Sequence, residues 1–252
     1  MPESLTWPSS WLKRPIAHRG LHDQAKGIIE NSASAVRAAL GAGYAVEVDL
    51  QCCAGHMPVV FHDATLDRLT AETGPVASRD AEALCAIPLR NSEDRILSLP
   101  ALLDLVNGRV PLLLEVKSNW ASDGKYEANI ALLLASYPGP VAVMSFDPHC
   151  VAAFREVSPA LPRGLIAERF DHQHYWSQLT FIQRFAMRNL FTAAFAWPHF
   201  IAYNIRALPA VAPLVAQTVF GLPLLTWTVR TKEEQDRALR YADAMIFEGI
   251  RP

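Results

Sequence analysis

The chain has little cysteine and lacks several common catalytic signatures. Its four cysteines (Cys52, Cys53, Cys85 and Cys150) are too few and too scattered for a disulfide framework, so we expect reduced packing residues. No Gly-rich loop follows an apolar run and no Gly-x-Ser-x-Gly elbow occurs, which argues against dinucleotide-binding and serine-hydrolase chemistry. The net charge is −2 with no basic run, so nucleic acid is not an expected partner.

Long apolar runs are also missing. Met1 to Pro15 contains no continuous apolar stretch, so we expect no signal peptide and a cytoplasmic location. Arg184 and Arg188 interrupt the aromatic-rich segment 176–203 and Pro198 ends it, so its longest uncharged apolar part is too short to span a bilayer. It favours a packed outer helix running into a strand. An interfacial or acyl-chain-binding surface is the alternative, which leaves peripheral lipid contact open.

What is present is an alternation of apolar strand-like runs with helical segments. Hydrophobic residues make up 51% and charged residues 19%, enough for a large core. The strand-like runs are Ile16–Arg19, Ala45–Leu50, Val110–Lys117, Val141–Phe146, Arg163–Ala167, Phe200–Asn204, Leu224–Val229 and Ala244–Phe247. The helical segments are Ala33–Ala42, Leu99–Val106, Ala128–Tyr137, Pro148–Val157 and Lys232–Tyr241. This order predicts an α/β fold, a (β/α)8 TIM barrel in one domain over 1–252. An open doubly wound sheet is the alternative, but no strand of this chain is followed by the glycine-rich loop of a dinucleotide-binding sheet.

One run breaks the alternation. Pro58–His62 follows the second strand after a gap far too short for a parallel crossover, and Ala54-Gly55-His56 has hairpin chemistry. We therefore expect a β-hairpin excursion that returns His62 to the barrel mouth. The polar segment 64–98 should form a small insertion there.

Titratable residues collect where these strands end. His18 ends the first run and His62 the returning strand, which suits a general acid and a general base. Glu47 and Asp49 are two residues apart on one strand and share a face, and Glu115 is placed the same way on the next barrel strand.

Three convergent carboxylates without cysteine suit a hard ion, Mg²⁺ or Ca²⁺. The alternative is a set of ion pairs in the barrel interior with Arg19 and Lys117. Beside a metal, Arg19 and Lys117 would instead neutralise a phosphodiester and the charge added in its transition state.

Several ordered motifs resemble the glycerophosphodiester phosphodiesterase family, within the barrel phosphodiesterases that include the phosphatidylinositol-specific phospholipases C. The motifs are Ala17-His18-Arg19-Gly20, Glu30-Asn31-Ser32, Gly43 to Asp49, Pro58 to Asp63, Leu66 to Thr70, Glu115-Val116-Lys117, Ser145-Phe146-Asp147 and Trp227-Thr228-Val229. The hairpin turn, Cys52 to Gly55, departs from the family's usual Thr-x-Asp-Gly type. The ending, Ala244 to Gly249, departs from its commoner Thr-Asp closure.

The resemblance implies roles for residues at matching positions. His18 and His62 match the acid–base pair, and Arg19 and Lys117 match phosphate-contacting positions. Trp227 matches an aromatic residue on the glycerol side of the pocket. Glu47, Asp49 and Glu115 match the family's ligands for Mg²⁺ or Ca²⁺.

The implied activity is metal-dependent hydrolysis of a small glycerophosphodiester to sn-glycerol 3-phosphate and an alcohol. The alternatives are a lysophospholipase D-type activity on monoacyl lipids, suggested by segment 176–203, and a non-catalytic barrel that binds phosphate esters. The oligomeric state is left open.

Overall fold

The computed structural model describes residues 14–120, 123–172 and 175–252. The N-terminal stretch, for which the sequence predicts no signal peptide, therefore lies almost wholly outside the described residues. The described strands are β1 (Ile16–Ala17), β2 (Ala45–Cys52), β3 (Pro58–Val60), β4 (Leu97–Ser98), β5 (Leu112–Val116), β6 (Val141–Ser145), β7 (Arg163–Ala167), β8 (Phe200–Asn204), β9 (Leu224–Val229) and β10 (Ala244–Phe247).

Eight of these strands form a closed parallel barrel. The hydrogen-bonded order runs β1, β10, β9, β8, β7, β6, β5, β2, and β1 also pairs with β2 and so closes the ring. The closing strand is short: Ile16 lies opposite Ile246 on one side and opposite Ala45 on the other. The predicted (β/α)8 barrel is confirmed.

The α-helices lie between the strands and within the insertion. They are α1 (Ala33–Ala42), α2 (Ala81–Cys85), α3 (Leu99–Val106), α4 (Lys125–Leu134), α5 (Pro148–Val157), α6 (Phe181–Arg188), α7 (Ala193–Ala196), α8 (Val211–Thr218) and α9 (Lys232–Tyr241). Helix α1 is capped at both ends. The Ser32 hydroxyl accepts a hydrogen bond from the Ala35 amide at its start, and Gly43 ends the helix in a left-handed conformation. Because each barrel helix is entered from the carboxyl end of a strand, those ends and their loops form one rim, the mouth.

Two faces of the barrel strands are buried in different clusters. Alternate residues point inward and form a small apolar cluster that includes Ile16, Ala45, Leu113 and Phe200. The other face packs against the helices in a larger cluster. Along β2 and β5 the inward residues change from Ala45 and Leu113 to carboxylates, so the apolar filling stops just below the mouth.

The predicted hairpin and insertion are present. β3 pairs antiparallel with the upper part of β2, with Leu50 opposite Val60, and β4 then pairs antiparallel with β3. The hairpin and the insertion share a further apolar cluster, which includes Phe61, Leu66 and Leu84. His62 follows β3 directly and is therefore carried by the hairpin and the insertion beneath it.

Some boundaries differ from expectation. β1 ends at Ala17 because Arg19 and Gly20 adopt left-handed conformations, with φ of 55° and 74°. At Gly20 a Cβ would lie 2.8 Å from the Ala35 backbone, so only glycine allows this approach to α1. α4 spans Lys125–Leu134, a few residues before the predicted range. The aromatic-rich segment contains α6 and α7, and no helix among the described residues is long and apolar enough to cross a membrane.

Candidate active site

A layer of buried carboxylates lies at the top of the barrel filling. Asp49 on β2 is the register partner of Glu115 on β5, and Glu47 lies two residues below Asp49. Glu47 and Asp49 are fully buried, and Glu115 is 8% exposed. One oxygen from each of the three carboxylates can be chosen so that all lie within 4.8 Å of one another. Three acidic groups this close form a ligand set for a hard cation.

Two cations balance part of this negative charge. The Lys117 ammonium lies 2.8 Å from Oδ1 of Asp49 and also contacts Glu115. The Arg19 backbone amide donates to Oε2 of Glu47 at 2.8 Å, and its guanidinium Nε lies 3.3 Å from Oδ2 of Asp49. The ion pairs that the sequence offered as an alternative to a metal are thus present.

The three carboxylates have different electrostatic environments. Burial opposes ionisation of Asp49, but Lys117 and Arg19 hold its pKa well below the usual range. Burial and the neighbouring Asp49 and Glu115 raise the pKa of Glu47 well above its usual range. Oε1 of Glu47 is buried and has no hydrogen-bond partner among the described residues. A buried oxygen in this position lacks a positive partner, which a cation would supply.

The Nδ1 atom of His18 is hydrogen-bonded to a carboxylate. Its Nδ1 lies 2.8 Å from Oε2 of Glu248, and the same oxygen accepts from Arg230 at 2.9 Å. Burial lowers the pKa of His18, against the hydrogen bond to Glu248, which raises it. With Nδ1 engaged, Nε2 is the nitrogen that remains for proton exchange.

His62 is held in the same way by different residues. Its Nδ1 lies 2.7 Å from Oδ1 of Asp63, and Arg68 donates to both oxygens of Asp63 at 2.6 and 3.0 Å. Arg68 also pairs with Glu30, which accepts from Arg19 at 2.7 Å. A continuous chain of charged hydrogen bonds therefore connects the second histidine with the arginine beside the carboxylate layer.

The two histidines open into one cavity of about 620 Å³ at the mouth. Its lining includes a polar group of five residues: His18, Arg19, His62, Glu115 and Lys117. The lining also includes an aromatic group of Phe146, Trp176 and Trp227, in which the Phe146 ring centroid lies 5.2 Å from that of Trp176 and 5.4 Å from that of Trp227. The indole N–H of Trp227 donates to the Ala202 carbonyl oxygen at 3.1 Å, which fixes the ring.

All eight residues singled out in the sequence lie in or immediately beneath this cavity, while their roles stay predictions. Sequence reasoning missed the residues that orient them, namely Glu30, Asn31 and Glu248. Asn31 donates to Oδ2 of Asp49 at 2.8 Å and accepts from the Asp49 amide at 3.0 Å. Glu30-Asn31 is part of a motif that marks this position, but Glu248 has no such signal.

Sequence comparisons bear on the family to which the chain belongs. The glycerophosphoryl diester phosphodiesterase family matches residues 18–248. Glycerophosphodiester phosphodiesterase 1 of Bos taurus is 27% identical over 248 residues, covering 87% of this chain and 72% of that protein. The glycerophosphodiester phosphodiesterase of Caldanaerobacter subterraneus is 25% identical over 236 residues, 89% of each chain.

Solved structures share the fold. A phosphodiesterase of Oleispira antarctica, solved with the product sn-glycerol-3-phosphate, is 18% identical with a TM-score of 0.77, covering 95% of this chain and 94% of that one. A glycerophosphodiester phosphodiesterase of Thermotoga maritima is 20% identical with a TM-score of 0.68, covering 92% of both chains. The resemblance seen in the motifs is thereby confirmed over most of the chain. The chain belongs to the glycerophosphoryl diester phosphodiesterase family and is an enzyme of that class, a phosphoric diester hydrolase.

Proposed function

We propose that the enzyme hydrolyses glycerophosphodiesters to sn-glycerol 3-phosphate and an alcohol, with a divalent metal and with His18 and His62 as the acid–base pair. One observation carries the proposal: two imidazoles, each fixed at Nδ1 by a carboxylate, line one cavity beside a buried cluster of three carboxylates. The product bound by the Oleispira antarctica relative is the product proposed for this chain.

The metal would be held by Glu47, Asp49 and Glu115. The fit rests on the buried Oε1 of Glu47, which has no hydrogen-bond partner among the described residues, and on an oxygen-only donor set. Oxygen ligands of this kind suit Mg²⁺ or Ca²⁺ rather than a thiophilic ion. When bound, the ion supplies Lewis-acid stabilisation of charge on the phosphoryl oxygens.

Arg19 and Lys117 would bind the phosphate. Both line the cavity and both remain protonated, because the neighbouring carboxylates raise their pKa values further despite burial. Fixed positive charge in a partly dry site stabilises the extra negative charge of the phosphoryl-transfer transition state. The aromatic group of the lining, with Trp227, would pack against the glycerol carbons.

The two histidines would divide the proton transfers. Burial lowers the pKa of His18 and so favours the neutral imidazole that a general base requires. We therefore assign His18 to remove the proton from the attacking oxygen and His62 to protonate the leaving alkoxide. Glu248 and Asp63 hold the rings so that the Nε2 atoms make these transfers.

The direct test is release of sn-glycerol 3-phosphate from glycerophosphocholine, with Mg²⁺ or Ca²⁺ and after treatment with a chelator. We expect activity that chelation abolishes and metal restores, and loss of activity on His18→Ala. Full activity in excess chelator would refute the metal, and tight binding of the substrate without turnover would favour a non-catalytic barrel.

A further inference from the structure

Helix α6 and the turn that follows it present a group of apolar side chains to solvent. Phe181 and Ile182 are 74% and 77% exposed, and Phe185 is 52% exposed. The rings of Phe181 and Phe185 stack with centroids 6.5 Å apart, and Phe185 lies 6.0 Å from Phe191. Single exposed apolar residues are common, whereas a contiguous group of this kind marks a binding surface. We call these four residues the α6 ridge.

The α6 ridge lies at the mouth end of the barrel. Tyr175 and Trp176, shortly before α6, line the active-site cavity. At the other end of the helix, the hydroxyl of Tyr203 lies 3.1 Å from the carbonyl oxygen of Arg188 and 3.3 Å from that of Glu168. Glu168 directly follows β7 and also lines the cavity. Both ends of α6 are therefore anchored at the rim that carries the active site.

The charged residues in this part of the sequence are all basic. Residues 172–232 contain five basic residues and no acidic residue, in a chain with a net charge of −2. Arg206, Arg230 and Lys232 follow β8 and β9 and are each paired with an acidic residue. Arg184 and Arg188 lie on α6 itself, and neither has an acidic partner in the parts of the chain that the structure describes. The apolar side chains are thus accompanied by uncompensated positive charge.

We propose that the α6 ridge docks on a membrane surface that carries anionic lipid headgroups. A helix with arginines beside exposed Phe and Ile side chains lies stably in the interfacial plane, apolar side inward. Anionic headgroups attract basic residues near the surface. A second copy of the chain would instead bring the same unpaired arginines together, which disfavours self-association through this face. Docking would turn the mouth towards the lipid surface. The docking proposal does not depend on which reaction the enzyme catalyses.

The test is co-sedimentation with vesicles of phosphatidylcholine mixed with phosphatidylglycerol, compared with phosphatidylcholine alone. The unmodified enzyme should bind the mixed vesicles, and binding should weaken as salt rises. Replacing three apolar side chains (F181S, I182S and F185S) should weaken binding by at least about a hundredfold. Replacing the two arginines (R184Q and R188Q) should weaken binding to the mixed vesicles by roughly thirtyfold.

The matched control is V219S with F220S. These two side chains are 71% and 72% exposed just after α8, before β9 begins and so at the opposite end of the barrel. The control should bind vesicles as the unmodified enzyme does. All variants should hydrolyse water-soluble glycerophosphocholine at the same rate, which shows that they are folded.

Three results would overturn the docking proposal. They are an unmodified enzyme that does not sediment with the mixed vesicles, ridge variants that bind as well as the control, and a lipid-free dimer that the ridge substitutions dissociate. Failure of every protein to hydrolyse glycerophosphocholine, with vesicle binding intact, would refute the proposed function and leave docking supported.

Discussion

The Nδ1 atom of His18 lies 2.8 Å from Oε2 of Glu248, although the two residues are 230 positions apart. Closure of the barrel makes this contact, since Ala17 pairs with Phe247 where β1 meets β10. The hydrogen bond from His18 lowers the pKa of Glu248 to about 2, despite partial burial. Glu248 is therefore a carboxylate throughout the neutral range and a positioning residue for His18.

Glu248→Gln should shift the pH dependence of the reaction. The amide keeps an acceptor for Nδ1 but loses the negative charge, and that charge raises the pKa of His18. Without it the pKa of His18 falls further, so the acidic limb of the kcat/KM profile should move to lower pH, and kcat should fall about tenfold. The exposed Glu233→Gln is the control. An acidic limb that does not move would show that Glu248 has no electrostatic effect on the titrating group.

The two histidines can be separated by the leaving group. A p-nitrophenyl phosphodiester releases an anion that needs no proton, so His62→Ala should lose far less activity on it than on glycerophosphocholine. His18→Ala should lose about 10²–10⁴-fold on both substrates, because the attacking oxygen must still be deprotonated. Steady-state rates of both variants on both substrates make the comparison. His56→Asn, an exposed position outside the cavity with a left-handed backbone, serves as the control. Equal losses for both variants on both substrates would contradict the assignment.

Glu47→Gln should separate metal binding from stability. At neutral pH the metal-free protein holds a buried carboxyl group whose pKa is raised by burial and by Asp49 and Glu115. A neutral amide removes the cost of ionising this group, so the Tm of the metal-free variant should rise by about 2–4 °C per kcal/mol gained. The increase in Tm that Mg²⁺ or Ca²⁺ confers on the unmodified protein should disappear. Calorimetry with and without metal measures both effects.

The control for that experiment is Glu82→Gln in the exposed part of α2, which should leave the metal-induced increase intact. A Glu47→Gln protein that is still stabilised by metal would contradict the assignment of Glu47 as a ligand.

His199 should make stability depend on pH away from the active site. Its Nδ1 accepts a hydrogen bond from the Arg163 amide at 3.2 Å, so this nitrogen must be unprotonated. Burial lowers the pKa of His199 to about 4, and the positive charge of Arg163 contributes to the shift. A histidine with a depressed pKa stabilises the fold fully above its unfolded value near ~6.5, and this stability is lost as the pH falls towards 4.

The measurement is Tm as a function of pH. His199→Gln should show a shallower decline between about pH 6.5 and 4 than the unmodified protein, and the exposed His172→Gln should follow the unmodified protein. Parallel curves for all three proteins would show that His199 does not titrate in this range.

Much of the fold follows from local sequence pattern. The strands from Arg163 to Ala167 and from Leu224 to Val229, and the helix from Lys232 to Tyr241, lie where the sequence predicts them. Apolar runs and capping residues are local signals, and they locate each element without knowledge of its neighbours. The placement of Glu47 and Asp49 on one face of the barrel could be predicted in the same way, because residues two apart on a strand share a face.

The remaining features depend on contacts between distant elements. Nothing near Glu248 distinguishes it from a surface residue, and its role arises only when β10 pairs with β1. Arg68 connects Asp63 with Glu30 across 38 residues, a pairing that only the folded insertion creates. The exposed apolar surface of α6 likewise has a sequence that fits either a buried or an exposed helix face, and only the structure distinguishes them.

The apolar cluster shared by the hairpin and the insertion is distinct from the two clusters of the barrel, so two packing units support the active site. Proteins open locally in cooperative units, each with its own free energy. His62 and Asp63 lie between β3 and the insertion, whereas His18 directly follows β1 and the carboxylates lie on β2 and β5 of the barrel. Local opening of the insertion alone would separate the two imidazoles while every barrel strand stays paired. Thermal inactivation can therefore precede thermal unfolding, and amide hydrogen exchange in residues 64–98 would report it.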